Sequence, residues 1–263
     1  MQGGEAAKPM SNAPKSALVT GAARRIGRAL ALDLAAHGWD VAVHYGRSER
    51  EAKEVVAAIE RQGRRAVALE ADLADREQVA GLVGRASQAL GALDLLVNNA
   101  AVFGYDRPGT VHRESWDRHM DINLWAPMAL TQALLEQLPD GAEANVVNLI
   151  DQRVWNLTPN YTSYSVSKSA LWALTRHLAL ALAPRVRVNA IGPGPTLRHE
   201  SMSEARFEEL CAALPLGRAT IPQEICAALR FLIDSPAVTG QMIALDGGQH
   251  LAWLLPQQTE GAK

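Results

Sequence analysis

Ala17-Leu18-Val19-Thr20-Gly21-Ala22-Ala23-Arg24-Arg25-Ile26-Gly27 is the stretch on which the fold turns. A short apolar run enters a turn of small residues, and an amphipathic pattern follows from about Arg24 to His37, so the stretch reads as strand, tight turn and helix. Asp40-Val41-Ala42-Val43-His44-Tyr45 then forms a second apolar strand. Two strands joined through a helix must run parallel, with a right-handed crossover. The rhythm repeats: helix near 48–61, strand near 66–70, helix near 76–90, strand 93–97, helix around 115–137, strand 145–150, helix 162–183 and strand 185–191. Pro193-Gly194-Pro195 opens an irregular stretch with a helical patch near 204–214, before a helix at 222–233 and a closing strand at 242–246. Strands that are apolar on both faces need helices on both sides. The expected fold class is therefore α/β, a single doubly wound Rossmann-type parallel sheet.

Composition agrees with one large domain. The chain has 263 residues, 48% of them hydrophobic, with 21% charged residues and a formal net charge of -2. Near-cancelling charge argues against a disordered polyelectrolyte and against a protein that coats nucleic-acid phosphates. Cys211 and Cys226 are too few and too far apart for a disulfide framework, which fits a reducing compartment. Leu171 to Ala183, the longest apolar candidate, is broken by Arg176 and His177, so no membrane span is expected. Residues 1–14 lack a signal-peptide core and read as a disordered tail, 15–255 as one catalytic domain, and 256–263 as a second tail. Within the domain, 195–218 reads as an inserted wall of a site. A cytoplasmic location follows as the expectation. The sequons at Asn156 and Asn160 carry little weight without a secretory route, and the seven histidines show no metal-ligand spacing.

The turn Thr20 to Gly27 lies where small residues let backbone N–H groups and a helix N-terminus approach a pyrophosphate. Gly21, Arg24, Arg25, Ile26 and Gly27 are its candidate contacts. About 20 residues further on, NAD-preferring sites keep a carboxylate for the ribose hydroxyls. Here the chain reads His44-Tyr45-Gly46-Arg47-Ser48, which offers a guanidinium and a hydroxyl to a 2′-phosphate, with Arg24 as a second cation. His44, Tyr45, Arg47 and Ser48 thus join the cofactor set, and NADP(H) is the expected cofactor.

Tyr164-Ser165-Val166-Ser167-Lys168 opens a helix and puts a phenol and an ammonium four residues apart on one face. An ammonium near a phenol favours the phenolate and can also hold a ribose beside a reacting nicotinamide. With Asn98-Asn99-Ala100 after the fourth strand, Asn123 in the next helix, Pro193-Gly194 and Asp246-Gly247-Gly248, the chain resembles the short-chain dehydrogenase/reductase family over nearly all of 15–255. That resemblance implies that Tyr164 donates a proton, Lys168 positions the ribose and tunes the tyrosine, and Asn123 supports a relay water. It also implies that Asp72 and Leu73 contact adenine, while Asn99, Ala100, Ala101, Pro193 and Gly194 line the cofactor.

Three departures refine the expectation. Arg25 replaces the middle glycine of TGxxxGxG, Ala101 replaces the last glycine of NNAG, and Asp151 stands where most members place a serine. A carboxylate beside Tyr164 opposes the phenolate and so favours proton donation and reduction; it also accepts N–H groups, which a ketone cannot offer. With TGAxRRxG, HYxRS and Phe103 four residues beyond Asn99, the chain looks similar to the pteridine reductase and dihydromonapterin reductase branch. There the phenylalanine stacks on a pterin, and the arginine touches both substrate and cofactor phosphate. Read singly, Asp151 is also a turn residue, Phe103 a core aromatic and Arg25 a helix-start charge. Trp155 and Tyr161 are either pocket walls or packing. The alternatives are a general carbonyl reductase for a ketone or 3-oxoacyl group, and a dinucleotide-sensing scaffold without turnover. Leu171, Leu174, Leu178 and Leu182 are core by spacing alone, but the family pairs this helix across two-fold axes. That implies a homo-tetramer or homo-dimer, with Trp172 as further contact and Leu251 to Leu255, including Trp253, reaching a neighbour.

Overall fold

The computed structural model describes residues 15–199 and 202–252. The expected tails at 1–14 and 256–263, and the reach of Trp253 to Leu255 toward a neighbour, lie outside the described residues. Seven strands form one parallel sheet in the order β3-β2-β1-β4-β5-β6-β7. They are β1 (Ser16–Val19), β2 (Asp40–Tyr45), β3 (Ala66–Glu70), β4 (Leu95–Asn98), β5 (Ala144–Leu149), β6 (Val186–Pro193) and β7 (Met242–Leu245). Every ladder is parallel, as strands linked through helices require.

The helices cover both faces. Helices α1 (Arg25–Ala36), α2 (Glu49–Glu60) and α8 (Pro222–Asp234) pack over Val19, Val41, Val43, Leu95 and Val97 on one side. On the other, α3 (Arg76–Leu90), α5 (Ala126–Gln137) and α6 (Thr162–Leu182) pack over Leu18, Ala42, Leu96, Val146 and Val188. Alternate residues of each strand feed opposite layers, which explains the unbroken apolar runs. The strand order reverses between β1 and β4, and in open parallel sheets that switch point leaves a crevice at the carboxyl ends of the strands.

The long helix expected around 115–137 is instead α4 (Arg113–Met120), a π-helical turn at Asp121–Trp125, and α5. Pro127 in the first turn of α5 has no N–H to give, so the helix widens by one residue just before it. After β6 the chain passes through the irregular stretch to α7 (Glu204–Ala212), beside the crevice. Among the described residues no helix is long and apolar enough to cross a membrane, and no cluster of candidate metal ligands occurs.

Candidate active site

The phosphate-loop turn is shaped by contacts that only small residues permit. A Cβ at Gly27 would sit 2.2 Å from the Gly21 carbonyl oxygen, and Gly21 itself has φ +62°. Asn99 closes the turn from β4: its Nδ2 donates to the carbonyls of Thr20 (2.8 Å) and Gly21 (3.2 Å). The Thr20 hydroxyl accepts the N–H groups of Asn99 and Ala100. The asparagine motif thus ties the carboxyl end of β4 to the loop.

Beside this turn runs a groove of about 750 Å³, lined by Gly21, Arg24, Arg25, Ile26 and Gly27 from the loop and by Tyr45, Arg47 and Ser48 from the end of β2. Asp72, Asn99, Ala100 and Ala101 complete the sequence-derived set that reaches it. Arg118 of α4 lines it too, and no motif had singled it out. Among the described residues, Arg24 and Arg47 enter no ion pair within the chain. Two guanidiniums outside any such ion pair, beside a glycine turn, suit a phosphorylated dinucleotide.

Two expected contacts are corrected. His44 is buried, accepting the Gly21 N–H at Nδ1 (2.9 Å), with Nε2 3.1 Å from the Ala71 carbonyl. Both ring nitrogens are engaged inside the protein, so His44 positions the loop rather than touching a ligand. Burial pulls its pKa down to about 4. Leu73 turns its side chain into the core against α3 and does not line the groove.

A second cavity, about 560 Å³, adjoins the groove and shares Arg24, Arg25, Ile26 and Ala101 with it. Phe103, Asp151, Tyr164 and Gly194 line it, as do Pro195 to Leu197 and His199 from the stretch after β6. Tyr164 enters from the first turn of α6, and its hydroxyl donates to Asp151 Oδ2 at 2.9 Å. Burial, and secondarily the Asp151 carboxylate, holds this phenol well above its ordinary pKa; the Arg153 guanidinium pulls the other way. Such a group keeps its proton at neutral pH. Lys168, buried one turn further along α6, donates Nζ to the Leu149 carbonyl at 2.8 Å. Burial lowers its pKa to about 8, with Asp151 partly opposing.

Phe103 stands against this pair. Its ring stacks on Tyr161 at 4.7 Å and 17°, and meets Tyr164 edge-on at the same distance. Tyr161 is therefore a buttress of Phe103, held at φ +61° just before α6. Trp155 is corrected: it packs edge-on against His250 and Trp172 and does not line the cavity. Asn123, in the π-helical turn, gives both amide hydrogens to the protein, at the Val102 carbonyl and the Ser167 hydroxyl, and accepts the Val102 N–H. The Asn123 side chain thus fastens the Phe103 segment to α6 and has no hydrogen left for a relay water. Pro193 ends β6 without lining either cavity, whereas Gly194 is pressed so close to Asp246 that a Cβ would lie 2.7 Å from its Cα.

Three cavity residues were absent from the sequence reading. Gln152 and Arg153 occupy a 3₁₀ turn capped by Asp151, and Gln249 follows the turn at Asp246-Gly247-Gly248. The available signal was local: an aspartate that caps a turn fixes the next two residues beside itself.

A family model described as enoyl-(acyl carrier protein) reductase matches residues 21–250. A solved structure of FolM alternative dihydrofolate reductase 1 from Brucella canis, complexed with NADP, is 47% identical, with a TM-score of 0.89, covering 93% of this chain and 97% of that one. An uncharacterized oxidoreductase of Methylorubrum extorquens is 37% identical over 89% of this chain and 97% of its own. The 3-oxoacyl-[acyl-carrier-protein] reductase FabG of Staphylococcus aureus is 32% identical over 90% of this chain and 98% of its own. With the glycine turn, the Tyr164–Lys168 pair and the asparagine ties set in a seven-stranded parallel sheet, these matches have one reading: the chain belongs to the short-chain dehydrogenase/reductase family.

Proposed function

We propose that the protein is an NADPH-dependent oxidoreductase that reduces the ring of a pterin-like substrate, a dihydropterin or dihydrofolate. The cofactor part is supported by the glycine turn, by Arg24 and Arg47 facing the groove, and by the NADP in the similar Brucella structure. When bound, NADPH supplies the hydride. The chain's own residues do the rest: Phe103 offers a face to a flat ring, Tyr164 delivers the proton, and Asp151 receives a ring N–H.

The observation that carries the substrate part is the 2.9 Å bond from the Tyr164 hydroxyl to Asp151, on the wall of a cavity that Phe103 also lines. A carboxylate has about four acceptor positions. Oδ2 takes Tyr164 and the Arg153 guanidinium, and Oδ1 takes the Arg153 N–H. One position on Oδ1 stays open for a substrate N–H. A ketone has no such hydrogen, and its oxygen would face the carboxylate unpaired.

A general carbonyl reductase for a ketone or 3-oxoacyl substrate is the second reading, favoured by the similarity to FabG. Loss of NADPH absorbance, followed with biopterin, monapterin, dihydrofolate and simple ketones, separates the two. The pterin reading expects turnover of the heterocycles and little with ketones; turnover of ketones alone removes it. For the cofactor, Arg47→Asp should reverse the preference for NADPH over NADH, and an unchanged ratio would refute the assigned role of Arg47.

A homo-tetramer or homo-dimer is also proposed. Trp125, Val166 and Leu180 are large apolar side chains left exposed on the π-helical turn and α6, the latter at 83%. Trp125 also lines a shallow, mainly apolar hollow of about 310 Å³ with Met120, Leu124, Met128 and Leu174. A neighbouring copy would remove this surface from water.

A further inference from the structure

Arg153 lies two residues from Asp151, yet holds it from two directions. Its backbone N–H donates to Oδ1 at 2.8 Å, and its guanidinium donates to Oδ2 at 3.2 Å, the oxygen that also receives the Tyr164 hydroxyl. The two side chains are only 18% and 14% exposed, so this pair is screened far less than a surface ion pair. The guanidinium carbon also sits 5.5 Å from the Phe103 ring centre and 5.2 Å from that of Tyr161. One planar cation therefore touches the carboxylate and both rings of the stack. Its Nε is buried with no partner among the described residues, an uncompensated polar atom of the kind that persists where a side chain is held for function.

The charges nearby give this a purpose. Lys168 faces the same phenol and is tied to a main-chain carbonyl rather than a carboxylate. His119 approaches the Tyr164 ring edge-on from α4, and His199 the Phe103 ring. In this surrounding a lone aspartate in place of a serine would leave one buried, unpaired negative charge beside the phenol, free to turn away from it. Arg153 cancels that charge while fixing the direction of the carboxylate.

We propose that Arg153 is a positioning residue of the proton-transfer site, and that Asp151 and Arg153 act as one neutral unit standing where relatives keep a serine, making the site selective for N–H-bearing heterocycles. The proposal rests on the proton-transfer reading of Tyr164 and Asp151 given above.

The test is a double-mutant cycle on the full-length protein with Asp151→Ser, Arg153→Met and the double variant, reading kcat and the KM for NADPH. Each single change should lower kcat for the pterin substrate by roughly 100-fold, the scale of a lost proton-transfer aid. For one unit, the double variant should lose no more than the worse single variant; independent roles would multiply the losses to about 10⁴-fold and overturn the proposal. Arg153 lines the substrate cavity and not the nucleotide groove, so the KM for NADPH should stay unchanged. A parallel rise in that KM would mark a merely structural role and also overturn it. If the methionine variant does not fold, the same cycle with Arg153→Gln, which keeps a planar polar end and removes the charge, decides by the same criteria. Should the wild type reduce ketones only, the pterin reading fails by itself, and the cycle run on the ketone still measures whether the pair is coupled.

Discussion

Arg25 has two features that belong together. Its backbone is left-handed, φ +53°, where an L side chain costs about 1–2 kcal/mol, and its guanidinium donates to the carbonyls of Leu197 (2.8 Å) and Arg198 (2.9 Å). The family pattern puts glycine here for the first reason, and this chain accepts the strain for the second. The side chain spans both cavities and fastens the loop after β6 over the second one. Arg25→Ala keeps the strained backbone and loses the clasp, whereas Arg25→Gly loses the clasp and relieves the strain. The glycine variant should therefore be more stable than the alanine variant by about 1 kcal/mol in urea unfolding. Both should raise the substrate KM. Equal stability of the two would mean that the left-handed backbone relaxes once the guanidinium is gone.

At the scale of elements, His44 is the joint between β2, the end of β3 and the phosphate loop. Its ring is neutral in the fold, with the pKa depressed from about 6.5 to about 4 by burial. A group whose folded pKa is depressed stabilises the fold fully above its unfolded value, and that contribution is lost as pH falls through the folded one. The window is therefore pH 6.5 down to about 4, and a shift of that size corresponds to about 3 kcal/mol. Urea midpoints should fall steeply between pH 6.5 and 4.5, and His44→Asn should flatten that slope. An identical slope in the variant would assign the acid loss to other groups. The same logic of joints applies to Asn123, whose amide links the π-helical turn to the Phe103 segment and to α6. Asn123→Ala leaves the Val102 N–H and carbonyl unpaired and should cost about 2–3 kcal/mol, read in the same unfolding assay.

At the scale of the whole molecule, the two cavities lie at the carboxyl ends of the strands, and the exposed apolar side chains lie on the π-helical turn and α6. Helix α6 serves both: Tyr164 and Lys168 face inward, while Val166 and Leu180 face out. Assembly through this helix would then brace the Tyr164–Lys168 pair. Light scattering should return a mass that is a multiple of the 28.3 kDa chain, and Leu180→Glu with Trp125→Glu should reduce it. The smaller species should also lose activity. A wild-type monomer at working concentration would reject the assembly.

Much of this architecture could be read from the chain. Alternating apolar runs and amphipathic stretches specify a parallel sheet because strand and helix periodicities are local properties, and Gly21, Gly27, Tyr164 and Lys168 sit at spacings set by one turn or one helix. Orientation across elements was beyond it. Whether His44 meets a cofactor or the Gly21 amide depends on how β2 packs against the loop, and whether Trp155 faces the cavity or His250 depends on a 3₁₀ turn three residues long. The presence of a cation at Arg153 was visible, but its two-sided grip on Asp151 was not, because a side chain's partner is selected by the fold around it. Sequence determined the elements and the chemical groups they carry; tertiary structure decided which of those groups face each other, since contact between residues far apart in the chain exists only after packing.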